Sequence, residues 1–270
     1  MAAAVALALS APIAATGQAG AAPSGQSDAS HTSHTWADYF YPLKVGWTCH
    51  ESLAAQGGVS GSETLTVSAV GTTRGGRTVT VDDSGEATAG GSSVPVNSAL
   101  HYVLTNAGGL VSTPSSSQIA GQTSHIVGST MFPTVRALLS GASSTSNLHI
   151  TIPLTATQRS EIKGALPSNA TGLNIAVAIR QSGSLVPALQ TPAGTFNGAL
   201  SVRSTLKSIH VTNAVKAASK ELDSALRPAV AQELANTTWY ALGQGPVKIN
   251  LDGITAYVNS CGLNTGSAGG

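Results

Sequence analysis

A period of two in the spacing of apolar residues constrains this chain more than any other feature of its sequence. Apolar and polar residues alternate from Glu63 to Val70, and the alternation returns from Thr78 to Val81. Successive side chains of a β-strand point to opposite faces, so this pattern predicts two strands that each bury one face. The intervening Arg74-Gly75-Gly76-Arg77 is typical of a tight turn. The two strands are therefore predicted to form a hairpin.

Strand patterns recur along the chain, whereas helical spacing is confined to two places. Residues 215–235 space their apolar side chains like a helix, with Asn213 as the predicted N-cap and Pro228 expected to kink or divide it. Residues 157–166 predict a shorter helix. Further strands are predicted at 100–105, 148–153, 173–180 and 199–211. The predicted fold class is β-rich (α+β), a twisted antiparallel sheet or half-barrel with one or two helices.

The composition favours an uncharged polar surface around a substantial core. Hydrophobic residues make up 41% of the chain and charged residues only 9%, against about 25% charged residues in an average soluble domain. A surface of hydroxyl and amide groups suits an extracellular protein. The formal net charge of +1 argues against electrostatic capture of nucleic acid or of an anionic membrane.

The beginning of the chain is typical of a signal peptide. Residues 1–21 are an apolar run of small residues that ends in Ala19-Gly20-Ala21, an A-x-A cleavage pattern. An ordinary buried helix is the alternative. Because the first basic residue is Lys44, either the natural start lies upstream or Met1 is not the natural first residue. We expect a secreted or envelope-exterior protein, soluble and without a transmembrane span in its mature form. Its predicted parts are a signal peptide at 1–21, a disordered linker at 22–35, one β-rich domain at 36–264 and a flexible tail at 265–270.

The chain has two cysteines, Cys49 and Cys261, near the two ends of the predicted domain. In an oxidising compartment an even pair predicts a disulfide. Closing a loop of about 210 residues would stabilise the fold by about 5 kcal/mol on the chain-entropy account. Two free core thiols or a metal site are the alternatives, although Cys49-His50 alone supplies too few ligands for a metal.

Four segments carry a family resemblance, in order, across nearly all of the predicted domain. They are Tyr39-Phe40-Tyr41-Pro42-Leu43-Lys44-Val45-Gly46-Trp47, the stretch 102–110, Pro192-Ala193-Gly194-Thr195-Phe196, and the stretch 239–248. Together they resemble the TapB-like family of secreted bacterial β-proteins of unknown function. The chain departs from the family pattern in that Trp47 directly follows Gly46, and in that residues 214–235 look like an insertion.

The resemblance implies a fold rather than an activity. Such proteins are similar to the half-barrels of bacterial lipoprotein carriers (LolA-like), in which a curved sheet wraps a helix. Fold alone does not carry function. Without the family, the segments have local explanations: Pro42 and Gly46 would dock Tyr41 and Trp47 on the sheet, and Gly243 and Gly245 permit a close backbone approach or a bulge.

Motifs for catalysis are weak. Gly58-Val59-Ser60-Gly61-Ser62 lacks the last glycine of a nucleophile elbow. Two Ser-x-x-Lys tetrads, Ser160…Lys163 and Ser204…Lys207, lack the Lys-Thr-Gly strand of penicillin-recognising enzymes. Asp82-Asp83 beside Gly85 predicts a turn. We expect no catalytic residue and no cofactor.

The histidines do not predict a metal site. His31 and His34 with Asp38 could form a weak exposed metal contact, but solvated linker residues are the expected outcome. His101, His149 and His210 fall in predicted strands, where hydrogen-bonded structural roles are expected.

Three functions remain open on the sequence. The first is a non-catalytic binding or carrier protein that encloses an apolar or lipid-like ligand in a curved sheet. The second is a cell-envelope interaction protein with a filled core. The third is a hydrolase whose Ser, His and Asp converge only in space.

Overall fold

The computed structural model describes residues 34–55, 60–89, 92–113, 117–119, 122–251 and 254–263. The predicted signal peptide, most of the predicted linker and the predicted tail at 265–270 lie outside the described residues, as does His31. No described helix is both long and apolar enough to cross a membrane.

The described residues form one antiparallel sheet of fourteen strands, in the order β6-β7-β9-β10-β11-β12-β13-β14-β1-β2-β3-β4-β5-β8. The predicted β-rich class is confirmed. The strands are β1 (Trp47–Ala55), β2 (Ser60–Thr73), β3 (Gly76–Ala89), β4 (Ser92–Thr105), β5 (Leu110–Thr113), β6 (Ser117–Ile119), β7 (Gln122–Gly128), β8 (Thr130–Phe132), β9 (Ser144–Pro153), β10 (Gly172–Thr191), β11 (Gly194–Val211), β12 (Asn236–Ala241), β13 (Gly245–Leu251) and β14 (Ile254–Leu263). The helices are α1 (Trp36–Tyr39), α2 (Val135–Leu139), α3 (Ala156–Glu161) and α4 (Ser219–Leu234).

The sheet curls until its two edges almost meet. The chain itself bridges the gap, because β7 pairs with β9 while β8, which follows after Ser129, pairs with β5 at the other edge. Beside β9 the junction is completed by side chains. The Met131 N–H donates to Ser146 Oγ at 2.8 Å, and Ser144 Oγ donates to the Met131 carbonyl at 2.6 Å. The result is a nearly closed barrel with a seam between β8 and β9.

The predicted hairpin is confirmed as β2 and β3, which pair from Thr73 and Gly76 onward around Arg74 and Gly75. Asp82 and Asp83 were predicted to lie in a turn, and this is wrong because both are within β3. The hairpin is longer than its apolar alternation suggests, and Asp83 takes an inward position in the strand, two residues after the buried Val81.

Two hydrophobic clusters occupy parts of the barrel interior, and three of the helices pack into them. The first contains side chains of α1 and α2, with Trp36, Tyr39 and Leu138 fully buried. In the second, α4 packs Leu222 and Leu226 against the inner face of β9 to β11. α1, α2 and α4 therefore contribute side chains to the interior, whereas α3 buries none of its residues.

The helix predictions need correction at their boundaries. α4 begins at Ser219 rather than at residue 215 and is preceded by Ala218, so the predicted N-cap, Asn213, is wrong. The Asn213 side chain instead forms hydrogen bonds with the beginning of β10. It accepts from the Asn174 N–H at 3.0 Å and donates to the Gly172 carbonyl at 2.9 Å. Pro228 lies inside α4 without dividing it. The shorter helix ends at Glu161, with Gly164 at a φ of 89° in the loop beyond.

The predicted disulfide is confirmed. Cys49 on β1 lies directly opposite Cys261 on β14, with 4.1 Å between the Cα atoms and a sequence separation of 212. These strands are neighbours in the middle of the strand order. The bond therefore links the first and the last strand along the chain, which are paired neighbours in the sheet.

Candidate ligand-binding cavity

A cavity of about 260 Å³ lies inside the barrel. Its wall is built from inward-facing side chains of β4, β5, β7 to β12 and the last turn of α4. Apolar groups form one part of the wall, among them Ile126, Leu148 and Leu234. Polar side chains form the other part, namely Ser112, Thr130, Gln181, Ser204, Asn236 and Thr238. The space is therefore amphipathic.

Strand parity explains why polar groups reach the interior. On β10 the buried residues Ile175, Val177 and Ile179 occupy alternate positions, and Gln181 is the next residue on that face. Its register partners are Ser144 on β9 and Ser204 on β11. The three neighbouring strands therefore change from apolar to polar at the same level.

Gln181 is the most constrained polar group in the cavity wall, with 0% of its surface exposed. Ser146 Oγ donates to Gln181 Oε1 at 3.3 Å, and Ser144 Oγ lies 3.1 Å from the same oxygen. The other end of the amide, Nε2, has no hydrogen-bond partner among the described residues. Leaving such a buried donor unpaired costs about 1–3 kcal/mol, so the group calls for an explanation.

Two tyrosines complete the wall between the cavity and the first hydrophobic cluster. Burial raises the pKa of Tyr240, and burial followed by the proximity of Tyr240, Glu51 and Asp83 raises the pKa of Tyr102. Both phenols therefore stay neutral at ordinary pH and offer hydroxyl groups rather than charge.

Three carboxyl groups, those of Glu51, Glu63 and Asp83, lie on the inner faces of β1 to β3, and Glu51 and Asp83 are within electrostatic reach of Tyr102. Glu51 is directly opposite Glu63 in the register, and Asp83 is opposite Leu65, two positions from Glu63 along β2. Burial, then repulsion from Glu63 and Asp83, raises the pKa of Glu51 to about 8. Burial, then Asp83, raises the pKa of Glu63 to about 7. Burial also raises the pKa of Asp83, partly offset by a hydrogen bond from Ser98.

These carboxyl groups do not form a metal centre. No group of three or more His, Cys, Asp or Glu side chains with a metal-binding arrangement occurs within the described ranges. Asp38 instead caps α1, where it accepts from the Thr35 N–H at 2.7 Å, and His34 lies 3.9 Å from it.

The structure separates the side chains of one Ser-x-x-Lys tetrad, Ser204 and Lys207, and places both members of the other beside one space. Ser204 faces the cavity, whereas Lys207 is exposed and donates to Thr145 at 3.5 Å on the outside of the barrel. Ser160 and Lys163 line a separate space of about 490 Å³ beside α3 and the loop that follows it. There the Ser160 hydroxyl donates to the Thr157 carbonyl at 2.7 Å.

The histidines of the predicted strands lie on β4, β9 and β11 and are all exposed. His101 Nδ1 is 3.2 Å from Thr80 Oγ1, and His210 Nδ1 is 3.1 Å from Asp223 Oδ2. These contacts are on the outer surface, away from the carboxyl groups of β1 to β3.

Comparison with known proteins yields fold similarity at most. No protein-family model matches the chain, and no curated protein matches it. A candidate lipoprotein from Parabacteroides distasonis superposes with a TM-score of 0.49 and 12% identity, over 83% of this chain and 99% of its own. A candidate exported protein with a YmcC-like fold from Bacteroides fragilis gives a TM-score of 0.48 and 11% identity over the same shares. At this level the likeness says nothing about function. The TapB-like resemblance stays a prediction.

Sequence analysis did not find Gln181, Glu51 or Glu63, and it named Ser204 and Asp83 only as part of a Ser-x-x-Lys tetrad and of a predicted turn. The signal was available in the parity of the strands. Glu63 shares a face with Leu65 and Val67, and Gln181 continues the series of Ile175 to Ile179. A polar residue at the buried position of a strand is the pattern that would have indicated them.

Proposed function

We propose that this chain is an exported, non-catalytic binding protein that holds a small apolar or lipid-like ligand inside its barrel. The observation that carries the proposal is the amphipathic cavity with the unpaired amide of Gln181 in its wall. Ligand sites are typically concave and mostly apolar, with a few placed polar groups that orient the ligand. The barrel interior has this character.

The size of the cavity limits the ligand. An apolar cavity of about 150 Å³ holds one benzene molecule. In proportion, 260 Å³ accommodates about ten non-hydrogen atoms. A small amphipathic molecule or one medium-length acyl chain fits, whereas a complete diacyl lipid exceeds the space.

The other two functions have less support. An envelope interaction protein with a filled core does not call for an internal space of this size. A hydrolase requires Ser, His and Asp to converge, but among the described residues the cavity wall holds no histidine and the His210–Asp223 pair is on the outer surface.

Export is supported by two features. The apolar run at 1–21 is typical of a signal peptide. The Cys49–Cys261 disulfide is of a kind that persists in oxidising compartments. Export is therefore part of the proposed function.

Native mass spectrometry of the protein secreted from a bacterial host tests the proposal. We expect a stoichiometric adduct that is released only on denaturation and is recovered by solvent extraction. Thr238→Phe, which fills the cavity wall, should abolish the adduct. Thr237→Phe, on the opposite face of the same strand, should retain it. A bare mass for the natural sequence, or an adduct that survives Thr238→Phe, would contradict interior binding.

A further inference from the structure

We infer that Gln181 recognises a neutral hydrogen-bond acceptor on the ligand, such as a ketone, ester, amide or ether oxygen. This inference rests on the proposed interior binding and specifies the ligand class. It makes Gln181 the specificity-determining residue of the cavity.

In the structure, the Oε1 end of the Gln181 amide faces β9. The Met131 N–H donates to Ser146 Oγ at 2.8 Å, and the Ser146 hydroxyl donates to Gln181 Oε1 at 3.3 Å. Nε2 lies at the other end of the amide and has no hydrogen-bond partner among the described residues. It is therefore the group that a ligand in the cavity would meet as a donor.

A free donor in a buried wall selects an acceptor. A site built to hydrogen-bond a polar group discriminates strongly against analogues that lack it, because its own buried group is then left unpaired. The hydroxyl of Ser204, the register partner of Gln181 on β11, lies in the same wall and can assist.

The surroundings favour a neutral acceptor over an anion. Among the described residues of the wall there is no Lys, Arg or His to pair a buried carboxylate. Tyr102 and Tyr240 line the wall and offer hydroxyl groups rather than positive charge. An unpaired anion in such an interior carries a large desolvation cost. A fatty-acid carboxylate is therefore the wrong ligand, and a neutral carbonyl compound the right one.

Three probes of about ten non-hydrogen atoms, the size derived from the cavity volume, separate these classes. They are 2-nonanone, octanoate, and decane supplied as vapour, each measured by titration calorimetry or by chemical-shift changes in NMR spectra. We expect the natural sequence to bind 2-nonanone at least tenfold more tightly than octanoate. This comparison requires no variant.

Gln181→Leu then tests the residue itself. We expect it to weaken 2-nonanone binding about five- to tenfold, the effect of one neutral hydrogen bond, and to leave decane binding unchanged or stronger. Gln190→Leu is the matched control, since Gln190 is exposed on the same strand and accepts from the Thr195 hydroxyl group. Thermal unfolding of each variant confirms that it is folded.

The outcomes separate this inference from the proposed function. Equal binding of 2-nonanone by the natural sequence and by Gln181→Leu overturns the role of Gln181 while interior binding stands. Octanoate binding as tight as that of 2-nonanone overturns the neutral-acceptor class. Failure of the natural sequence to bind any of the three probes overturns both proposals.

Discussion

Glu51 is a carboxyl group with only 3% of its surface exposed, and no cation is paired with it among the described residues. A buried acid of this kind stays neutral rather than bear the cost of an unpaired charge. Its raised pKa, about 8, means that the folded protein keeps a proton that the unfolded chain has already lost. The residue therefore links stability to pH.

The expected pH dependence has a definite sign. Glu51 and Glu63 have pKa values of about 8 and about 7 in the folded protein, against 4.5 for an ordinary glutamate side chain. Between about pH 4.5 and 8 the folded state binds more protons, so the free energy of unfolding falls as pH rises. The slope for each group approaches about 1.4 kcal/mol per pH unit. Urea unfolding at a series of pH values measures it.

Glu51→Gln isolates the residue. Because the amide cannot ionise, we expect the variant to lose most of the fall in stability above pH 5 and to exceed the natural sequence at pH 8. Asp82→Asn, at an exposed position on β3, is the matched control and should leave the slope unchanged. Stability that rises with pH in the natural sequence would show that these carboxyl groups are not buried as described.

Individual residues of the cavity could be predicted only in part. The alternation of Ile175, Val177 and Ile179 fixes which face Gln181 occupies once the strand is known to continue. It does not show that β9 brings Ser144 and Ser146 alongside, because that depends on register between segments far apart in sequence. Nor does it show that Met131 donates to Ser146, because Met131 belongs to β8, which pairs with β5.

At the level of elements, the start of β13 shows a close approach that glycine makes possible. Gly245 has a φ of 89°, and a Cβ atom there would lie 2.7 Å from Tyr41 Cδ1. Tyr41 is buried in the first hydrophobic cluster. The expected close approach near Gly243 and Gly245 is therefore confirmed, and its partner is the aromatic segment at the start of the domain.

Gly245→Ala should destabilise the fold by roughly 2 kcal/mol, from the left-handed backbone conformation and from displacement of the tyrosine ring. Gly243→Ala is the matched control, since Gly243 has a φ of 69° but nothing within 4 Å of its Cβ position. It should cost only the backbone part. Chemical unfolding of both variants measures the difference, and equal losses would argue against the contact with Tyr41.

The elements with apolar alternation were predictable, and those with polar interiors were not. β2, β3 and the first half of β10 follow the alternation. The second half of β10 contains Ser182, Gly183 and Ser184, whose small polar side chains carry no such pattern, although the strand continues to Thr191. The start of α4 was predicted too early because the Asn213 side chain forms hydrogen bonds with the first residues of β10 instead of capping the helix.

For the molecule as a whole, the disulfide is the strongest single constraint on the unfolded chain. A crosslink that closes 212 residues is expected to contribute about 5 kcal/mol, on the chain-entropy account. We expect Cys49→Ser with Cys261→Ser to lower the free energy of unfolding by several kcal/mol. The natural sequence unfolded in the presence of a reductant should match the double variant. A difference below about 1 kcal/mol would contradict this account.

The architecture as a class followed from local patterns, but its closure did not. Period-two alternation and turn residues suffice for a β-rich domain with its helices on one side. Whether the sheet edges meet depends on β7 and β8, a short stretch that divides its pairing between two strands.

The seam has a kinetic consequence. Backbone ladders join each pair of neighbours in the strand order, whereas between β8 and β9 the hydrogen bonds of the described residues pass through two serine hydroxyl groups. We therefore expect the barrel to open first between β8 and β9, while the ladders between the other strands stay intact. The Met131 amide should therefore exchange its hydrogen faster than the ladder amides of β10 and β11. Ser144 and Ser146 also contact Gln181 in the cavity wall. The part of the barrel that opens most readily is therefore next to the proposed ligand site.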